Sequence, residues 1–575
     1  MNKKVLATGM AFALLFTSSN VSISDAKTTK TIGFNKTAVV LRVKETETIS
    51  LKNVSKTDSP KIKWTTSDAK VATVTVNKKS KSKATITAIK KGIATITAKV
   101  ANKKVTCKVR VKNRTDEKPT EEEGNLTYQS DVTAAMTKSS YWAKLQKDAD
   151  KVLMDEKAIR TKNQKIMSDP ASNMYDLKNM SMTYDTSAAD RKKVLAEGMF
   201  KDVTDRIGTR KTIYVNGEAF DKTKIDAWFA EMKKNVADAD VSGLTQKKYA
   251  ICTKRADLWM APNSEPVGWS ATDPDDEFMN SSINVNEPFV IDMVTADGKF
   301  CHGYSSNCSG WVEADHFAIS DEKDTWLAQW DLKSSEVLVV TTSHITLEKS
   351  NRDPATSEVD LMLGTQLPLI PRDQLPENIA ERGTWYNHVV WLPTRDASGK
   401  FVRSPALISS HHNVSVGYLP LTKKNILKVA FSCLGDRYGW GGMLNAMDCS
   451  MYTRSIYRCF GLELPRNTTW QRAMPTYKVD FGPMTDKEKK AAISKLPAGA
   501  LLMFSGHITM YIGEVDGKQY VISDLGSLSE TVESIGQEVS AKSRYCVSIN
   551  SLDVRRASGN TWLTEMLTGL VPWKD

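Results

Sequence analysis

The chain has 575 residues, 41% hydrophobic and 25% charged, with eight cysteines and a formal net charge of +12. This is ordinary globular composition, which excludes wholesale disorder. It is also too long for a single core, and at about 150 residues per domain it implies about four domains. Eight cysteines exclude a disulfide-dense scaffold, and the lack of any run of about 18 apolar residues beyond the first twenty positions excludes a spanning helix there. At the N-terminus, Lys3 and Lys4 precede a mostly apolar stretch from Val5 to Phe16, and Ser24-Asp25-Ala26 ends in a small residue. That order predicts a secretory signal over 1–26, hence export. The first cysteine is Cys107, so no lipid anchor is expected near the cleavage point.

Residues 27–113 carry the positive charge: 22 Lys and Arg against Glu45, Glu47, Asp58 and Asp68, a net of +18. Residues 1–26 add +1, leaving 114–575 at −7. The +12 therefore belongs to one segment, and nucleic acid is an improbable partner for an exported chain. Ala72–Val76, Ala84–Ile89, Ala94–Val100 and Val105–Val111 alternate with period two, which predicts a small β-sandwich. Lys63-Trp64-Thr65-Thr66-Ser67-Asp68, Lys70–Val74 and Lys91–Ala98 together resemble a bacterial Ig-like domain of group 2. Its outward lysines are either a solvated face that blunts edge pairing or a means of retention on anionic cell-wall polymers.

Residues 114–128, with Pro119 and the acidic run Glu121–Glu123, read as a linker. A helical support segment is expected over 129–245: apolar spacing at Trp142, Leu145, Val152, Leu153 and Ile159 suits a helix from about 132 to 167, with further helices through 188–200 and 224–236. Strand signals return at 246–420. Pro288–Val294, the Asp297-Gly298 turn, Phe300 and Ser309-Gly310-Trp311-Val312 resemble a bacterial SH3-like barrel over 246–322, and a second barrel is expected over 323–420. Cys301 and Cys308, near the predicted hairpin, either pair as a disulfide or stay free.

Residues 421–575 hold the chemistry. Asp448-Cys449-Ser450 opens a run with helical apolar spacing at Met451, Tyr452, Ile456 and Phe460, which Gly461 stops. A thiol at a helix N-terminus is favoured as thiolate by the free N–H groups and the helix dipole. Lowering its pKa from about 8.5 to about 6 would raise the ionised fraction at pH 7 from about 3% to about 90%. His507, the only histidine after Cys449, begins an alternating strand that Asp516-Gly517 turns into Tyr520–Asp524. A base on a strand would thus face a nucleophile on a helix end. No ligand cluster suggests a metal, and no cofactor is expected.

In order, Tyr438-x-Trp440-Gly441-Gly442, Asp448-Cys449-Ser450, Leu464-Pro465-Arg466, Pro497-x-Gly499 and Gly506-His507-x-x-x-Tyr511-x-Gly513 resemble the NlpC/P60 cysteine peptidases of bacterial wall turnover. The resemblance implies a multidomain α+β chain: a papain-like catalytic domain, two SH3-like barrels, a helical support and an N-terminal sandwich. It implies Cys449 as nucleophile, His507 as base, and Tyr438, Trp440, Asp448 and Ser450 around the substrate. That substrate would be the γ-D-glutamyl–diamino acid bond of peptidoglycan stem peptides, reached outside the cell at the wall. Where relatives place a second histidine, this chain has Ser523. Strict alternation from a two-residue Asp516-Gly517 turn instead puts Asp524 opposite Thr509, on the face of His507, whereas a bulge would bring Ser523 there. Rival readings are a wall-binding or adhesion protein with weakened catalysis, and an amidase or acyltransferase on the same fold.

Overall fold

Alternating Ile, Val and Ala along short lysine-edged runs gives the N-terminal part its strands. The computed structural model describes residues 31–55, 57–112, 126–129, 131–184, 187–239, 246–529, 541–556 and 560–575. The expected signal segment and most of the expected linker lie outside the described residues. The chain divides into two compact units, 1–116 and 117–575.

In the first unit two four-stranded sheets enclose one core. One sheet has the order Gly33–Phe34, Thr46–Lys52, Lys83–Ala88, Ala72–Val76. The other runs Ala38–Arg42, Lys103–Lys112, Gly92–Val100, Lys63–Thr66, its first pair parallel. Ile49, Ile86, Ile96, Cys107 and Val109 fill the space between them. Trp64 packs on Phe34 at 5.3 Å and donates its indole N–H to the Lys81 carbonyl.

The second unit begins with helices, though not the continuous one expected over 132–167. Ser139–Lys144 and Glu156–Ser168 are separate, because Asp148 takes a left-handed φ of 54° between them and Asp155 restarts the helix by accepting from the Ala158 N–H. Ala188–Ile207 and Lys222–Ala237 follow. A hairpin of Thr212–Val215 and Glu218–Asp221 lies between these two helices and pairs on with Val267–Gly268. A sheet therefore crosses the expected boundary at 245/246.

Pairing at 246–322 gives a seven-stranded antiparallel sheet rather than the closed ring expected. Its order is Met279–Ile283, Ala256–Trp259, Ser309–Glu313, Phe300–Tyr304, Pro288–Val294, Lys248–Cys252, Phe317–Ser320. Among the described residues, no pairing joins the two edge strands. Cys301 and Cys308 are buried free thiols, which corrects the disulfide alternative. Cys301 lies opposite Val312, whereas Cys308 sits beside Ser305, four residues along the hairpin. At about 3.3 Å per residue that is about 13 Å, roughly twice the span a disulfide allows. Residues 323–420 likewise form several small sheets, the longest a nine-pair hairpin of Asn387–Arg395 and Phe401–Ser409.

The C-terminal part is built on a six-stranded antiparallel sheet. Its order is Tyr477–Asp480, Thr568–Val571, Leu501–Phe504, His507–Val515, Lys518–Ser529, Ala541–Ser551. Helix Cys449–Arg458 is buried along its whole length and shares this sheet's core through Tyr452, Ile456, Ile508, Met510 and Ile522.

Candidate active site

Helix Cys449–Arg458 starts where it does because Asp448 caps it. The Asp448 carboxylate accepts from the backbone N–H groups of Ser450 (3.1 Å) and Met451 (2.8 Å). Arg466 grips the same carboxylate with two N–H groups, at 3.1 and 2.7 Å, and anchors its Nε on Ser281 Oγ at 2.6 Å. Burial pushes the Asp448 pKa up, but the Arg466 charge and the hydrogen bonds outweigh it and hold the carboxyl below its usual range.

Cys449 is thereby fixed as the first residue of the helix. Its Sγ lies 3.9 Å from Thr468 Oγ1, and the neighbouring Ile508 N–H favours the thiolate. Burial, with the Asp448 charge second, pushes the thiol up to about 12. The thiolate expected at this helix end is therefore not the resting form, because desolvation and the capping carboxylate outweigh the donors.

His507 opens its strand with its ring packed against Phe504 (5.3 Å) and Trp562 (5.6 Å), and its Nε2 lies 3.2 Å from Ser523 Oγ. Burial first and the Arg556 charge second bring its pKa down to about 3, so the imidazole is neutral. Among the described residues no hydrogen bond joins it to Cys449; the site holds a neutral thiol and a neutral base on neighbouring elements.

The register explains why Ser523 faces His507. The Asp516-Gly517 turn has two residues and Val515 pairs with Lys518, as expected. A register shift between Tyr511 and Gly513 then inserts Ile512, so Met510 pairs with Ile522. Thr509 consequently falls opposite Ser523, not Asp524. This corrects the placement of Asp524 beside the base. Asp524 is fully buried with both carboxyl oxygens unpartnered. Burial first, then the charges of Asp448 and Asp436, push its pKa up to about 9.

The other candidate residues surround the same helix start. Ser450 Oγ donates to Asp448 Oδ1 at 2.9 Å. Tyr438 is buried, its ring 5.7 Å from that of Tyr545; burial and the nearby Cys449 push its phenol up. Trp440 is more open, and the Arg206 guanidinium lies 5.5 Å over its ring. Gly441 and Gly442 have φ of 65° and 99°, and a Cβ on Gly442 would meet Ser282 Oγ at 2.2 Å. The glycine loop thus lies directly on strand Met279–Ile283. Arg255 fastens it by donating to Ser282 Oγ (2.7 Å) and the Ala446 carbonyl (2.8 Å).

Sequence reasoning quoted Arg466 as part of a motif without finding its grip on Asp448, and it missed Arg255, Thr468 and the Ile508 N–H. An arginine directly after Leu464-Pro465 was the one available signal. Asp275 is reached by Tyr545, whose hydroxyl lies 3.4 Å from Asp275 Oδ2. Among the described residues, no group of three or more His, Cys, Asp or Glu is arranged to hold a metal.

Comparison with known proteins finds a family match at the C-terminus. The family model described as "NlpC/P60 family" matches residues 435–547, so the chain carries a domain of that family there. A curated relative, "Dipeptidyl-peptidase 6" of Lysinibacillus sphaericus, is 26% identical over 117 residues, 20% of this chain. The match spans 38% of that relative's length. Among solved structures, "Insights into a novel NlpC/P60 Endopeptidase from Photobacterium damselae subsp. piscicida" aligns over 74% of this chain and 95% of that one. Its TM-score is 0.55 and its identity 16%, a likeness of fold.

Proposed function

We propose that the chain is an exported peptidoglycan hydrolase that cleaves the γ-D-glutamyl–diamino acid bond of stem peptides. The observation that carries the reading is a cysteine at the start of a buried, carboxylate-capped helix, beside a strand that opens with His507 held by Ser523. Cys449 Sγ attacks the acyl carbonyl while His507 takes the thiol proton. With the thiol raised and the imidazole lowered, the transfer accompanies attack rather than preceding it as a stable ion pair. The sulfur becomes a thioester, the amine leaves with the proton returned by His507, and water then frees the acid. Ser523 orients the ring through Nε2, leaving Nδ1 for the thiol. The backbone N–H of Cys449 is the natural donor to the oxyanion. Tyr438, Trp440, Asp448 and Ser450 line the acyl side.

The reading extends to the rest of the chain: a signal at 1–26, an Ig-like domain at 27–113 that retains the protein on anionic wall polymers, and open-sheeted β domains over 246–322 and 323–420, in place of closed SH3-like barrels, that flank the Cys449 site. Digestion of purified stem tripeptide and tetrapeptide, followed by mass spectrometry, is the test. Release of the N-terminal dipeptide supports the reading. Unchanged mass would make the chain a wall-binding protein, and loss of an acyl or sugar-linked group from the corresponding sugar-linked muropeptides would make it an acyltransferase or amidase.

A further inference from the structure

Trp385 and Tyr386 are consecutive and 80% and 85% exposed, whereas no other large apolar side chain among the described residues exceeds 63%. They immediately precede strand Asn387–Arg395, and His411 and His412 lie just past its partner strand, Phe401–Ser409. The Ser410 N–H donates to the Tyr386 carbonyl at 3.0 Å, which joins the two ends. The two histidine rings lie 4.1 Å apart. Tyr386 also has a φ of 59°, a left-handed conformation that is costly for a bulky aromatic residue. The fold thus bears a strained backbone at the place where it holds two rings in water, and neither ring joins a core cluster. Strain of this kind concentrates where a surface is used.

We propose that this end of the hairpin is a platform for an uncharged N-acetylhexosamine glycan. A pyranose ring offers a flat face of C–H bonds, which packs on an indole or phenol, and a rim of hydroxyl and amide groups. The rim matches His412, whose neutral imidazole both donates and accepts. Burial first, then the adjacent His411, lowers the His412 pKa and keeps it neutral. Of the neighbouring charges, Arg382 pairs with Glu348 at 2.7 Å, while Glu381 accepts only from the Ser350 hydroxyl at 2.9 Å and stays anionic. An anionic polymer or anionic lipid surface would call for unpaired Lys or Arg. Two rings are also far short of the roughly 800 Å² per partner that a stable protein interface buries. The choice of sugar rests on the hydrolase reading, since stem peptides are carried on such glycans; the platform itself is separate from the Cys449 site.

The test is calorimetric titration of the full chain with chitotetraose. Saturable binding is expected, weakened at least about tenfold in Trp385→Ala and in Tyr386→Gly. Tyr386→Gly removes the ring while supplying the residue that this φ favours, so its thermal stability should equal or exceed that of wild type, which keeps misfolding out of the result. Hydrolysis of a soluble stem peptide should be unchanged in both variants. Failure of the hydrolase reading would show in the wild type and leave the sugar titration readable. No chitotetraose binding by the wild type, or equal binding by the variants, overturns the proposal. So does finding that the two rings instead mediate self-association or vesicle binding.

Discussion

Replacing Asp524 with Asn separates a buried neutral acid from a catalytic carboxylate. In the folded chain Asp524 has no exposure and no hydrogen-bond partner, and it holds its proton up to about pH 9. In the unfolded chain it titrates near 3.9. Between those values the folded state binds one more proton than the unfolded state, so stability falls as pH rises, by about 1.4 kcal/mol per pH unit. This contribution is fully present below about pH 4 and is lost by about pH 9; from pH 4 to pH 7 it amounts to about 4 kcal/mol. Asn cannot ionise. The stability of Asp524→Asn minus that of wild type should therefore increase by a few kcal/mol between pH 4 and pH 7. His507 acts in the opposite sense: its folded pKa of about 3 lies below its unfolded value near 6.5, so its contribution is lost as pH falls. It does so equally in both proteins and cancels in the difference. Urea unfolding followed by tryptophan fluorescence at pH 4, 5.5, 7 and 8.5 measures the effect. A difference that does not vary with pH would mean that Asp524 is ionised or hydrated in the folded chain, and would refute the reasoning.

Four further outcomes are expected. Cys449→Ala should abolish stem-peptide hydrolysis, by about 10⁴-fold or more in kcat, with unfolding shifted by no more than about 1 kcal/mol; turnover of the purified variant checks it. Ser523→Ala should lower kcat about ten- to a hundredfold with KM little changed, while Asp524→Asn leaves kcat within a few-fold, the ranking that one hydrogen bond to the base requires. Arg466→Met leaves Asp448 buried without its partner and should cost about 3–5 kcal/mol in denaturant unfolding. Deleting residues 27–112 should leave hydrolysis of a soluble peptide unchanged but weaken sedimentation with whole walls, and the lost binding should be the salt-sensitive part, since exposed charges are screened beyond about 10 Å at 0.1 M salt.

What was legible in the sequence was local. The apolar 3.6-period run that opens at Cys449, with Gly461 after it, announces a stopped helix, and helix Cys449–Arg458 is found there. Asp516-Gly517 announces a two-residue turn, which is present. The sandwich strands read directly because each alternates over five or more residues. What was not legible depends on partners distant in sequence. The inserted Ile512 lies in an unbroken apolar run, so nothing marks it, yet it decides whether Ser523 or Asp524 meets His507. The strand Thr212–Val215 was hidden between two helices because its sheet is completed by Val267–Gly268, some fifty residues on. The ionisation of Cys449 was misjudged for the same reason. The helix end is visible in sequence, but the burial of the thiol is not.

The residues before 421 bear on the chemistry more closely than a covering role requires. Strand Met279–Ile283 supplies Ser281 to Arg466 and Ser282 to Arg255; the first arginine locks the cap of the Cys449 helix, the second the loop that carries Tyr438 and Trp440. The close fit of Gly442 against Ser282 leaves that loop no slack. A buried arginine–aspartate pair adds little net stability when compared with apolar packing, but it is unforgiving of displacement because either partner left alone is a buried bare charge. The arrangement therefore fixes position more than it adds stability. On the proposed reading, with the Cys449 thiol raised to about 12 and the His507 imidazole lowered to about 3, attack would depend on the two groups meeting the substrate in one geometry rather than on a standing thiolate. Holding Asp448, and with it Cys449, through Arg466 and Ser281, 185 residues apart in sequence, is how this chain would meet that demand.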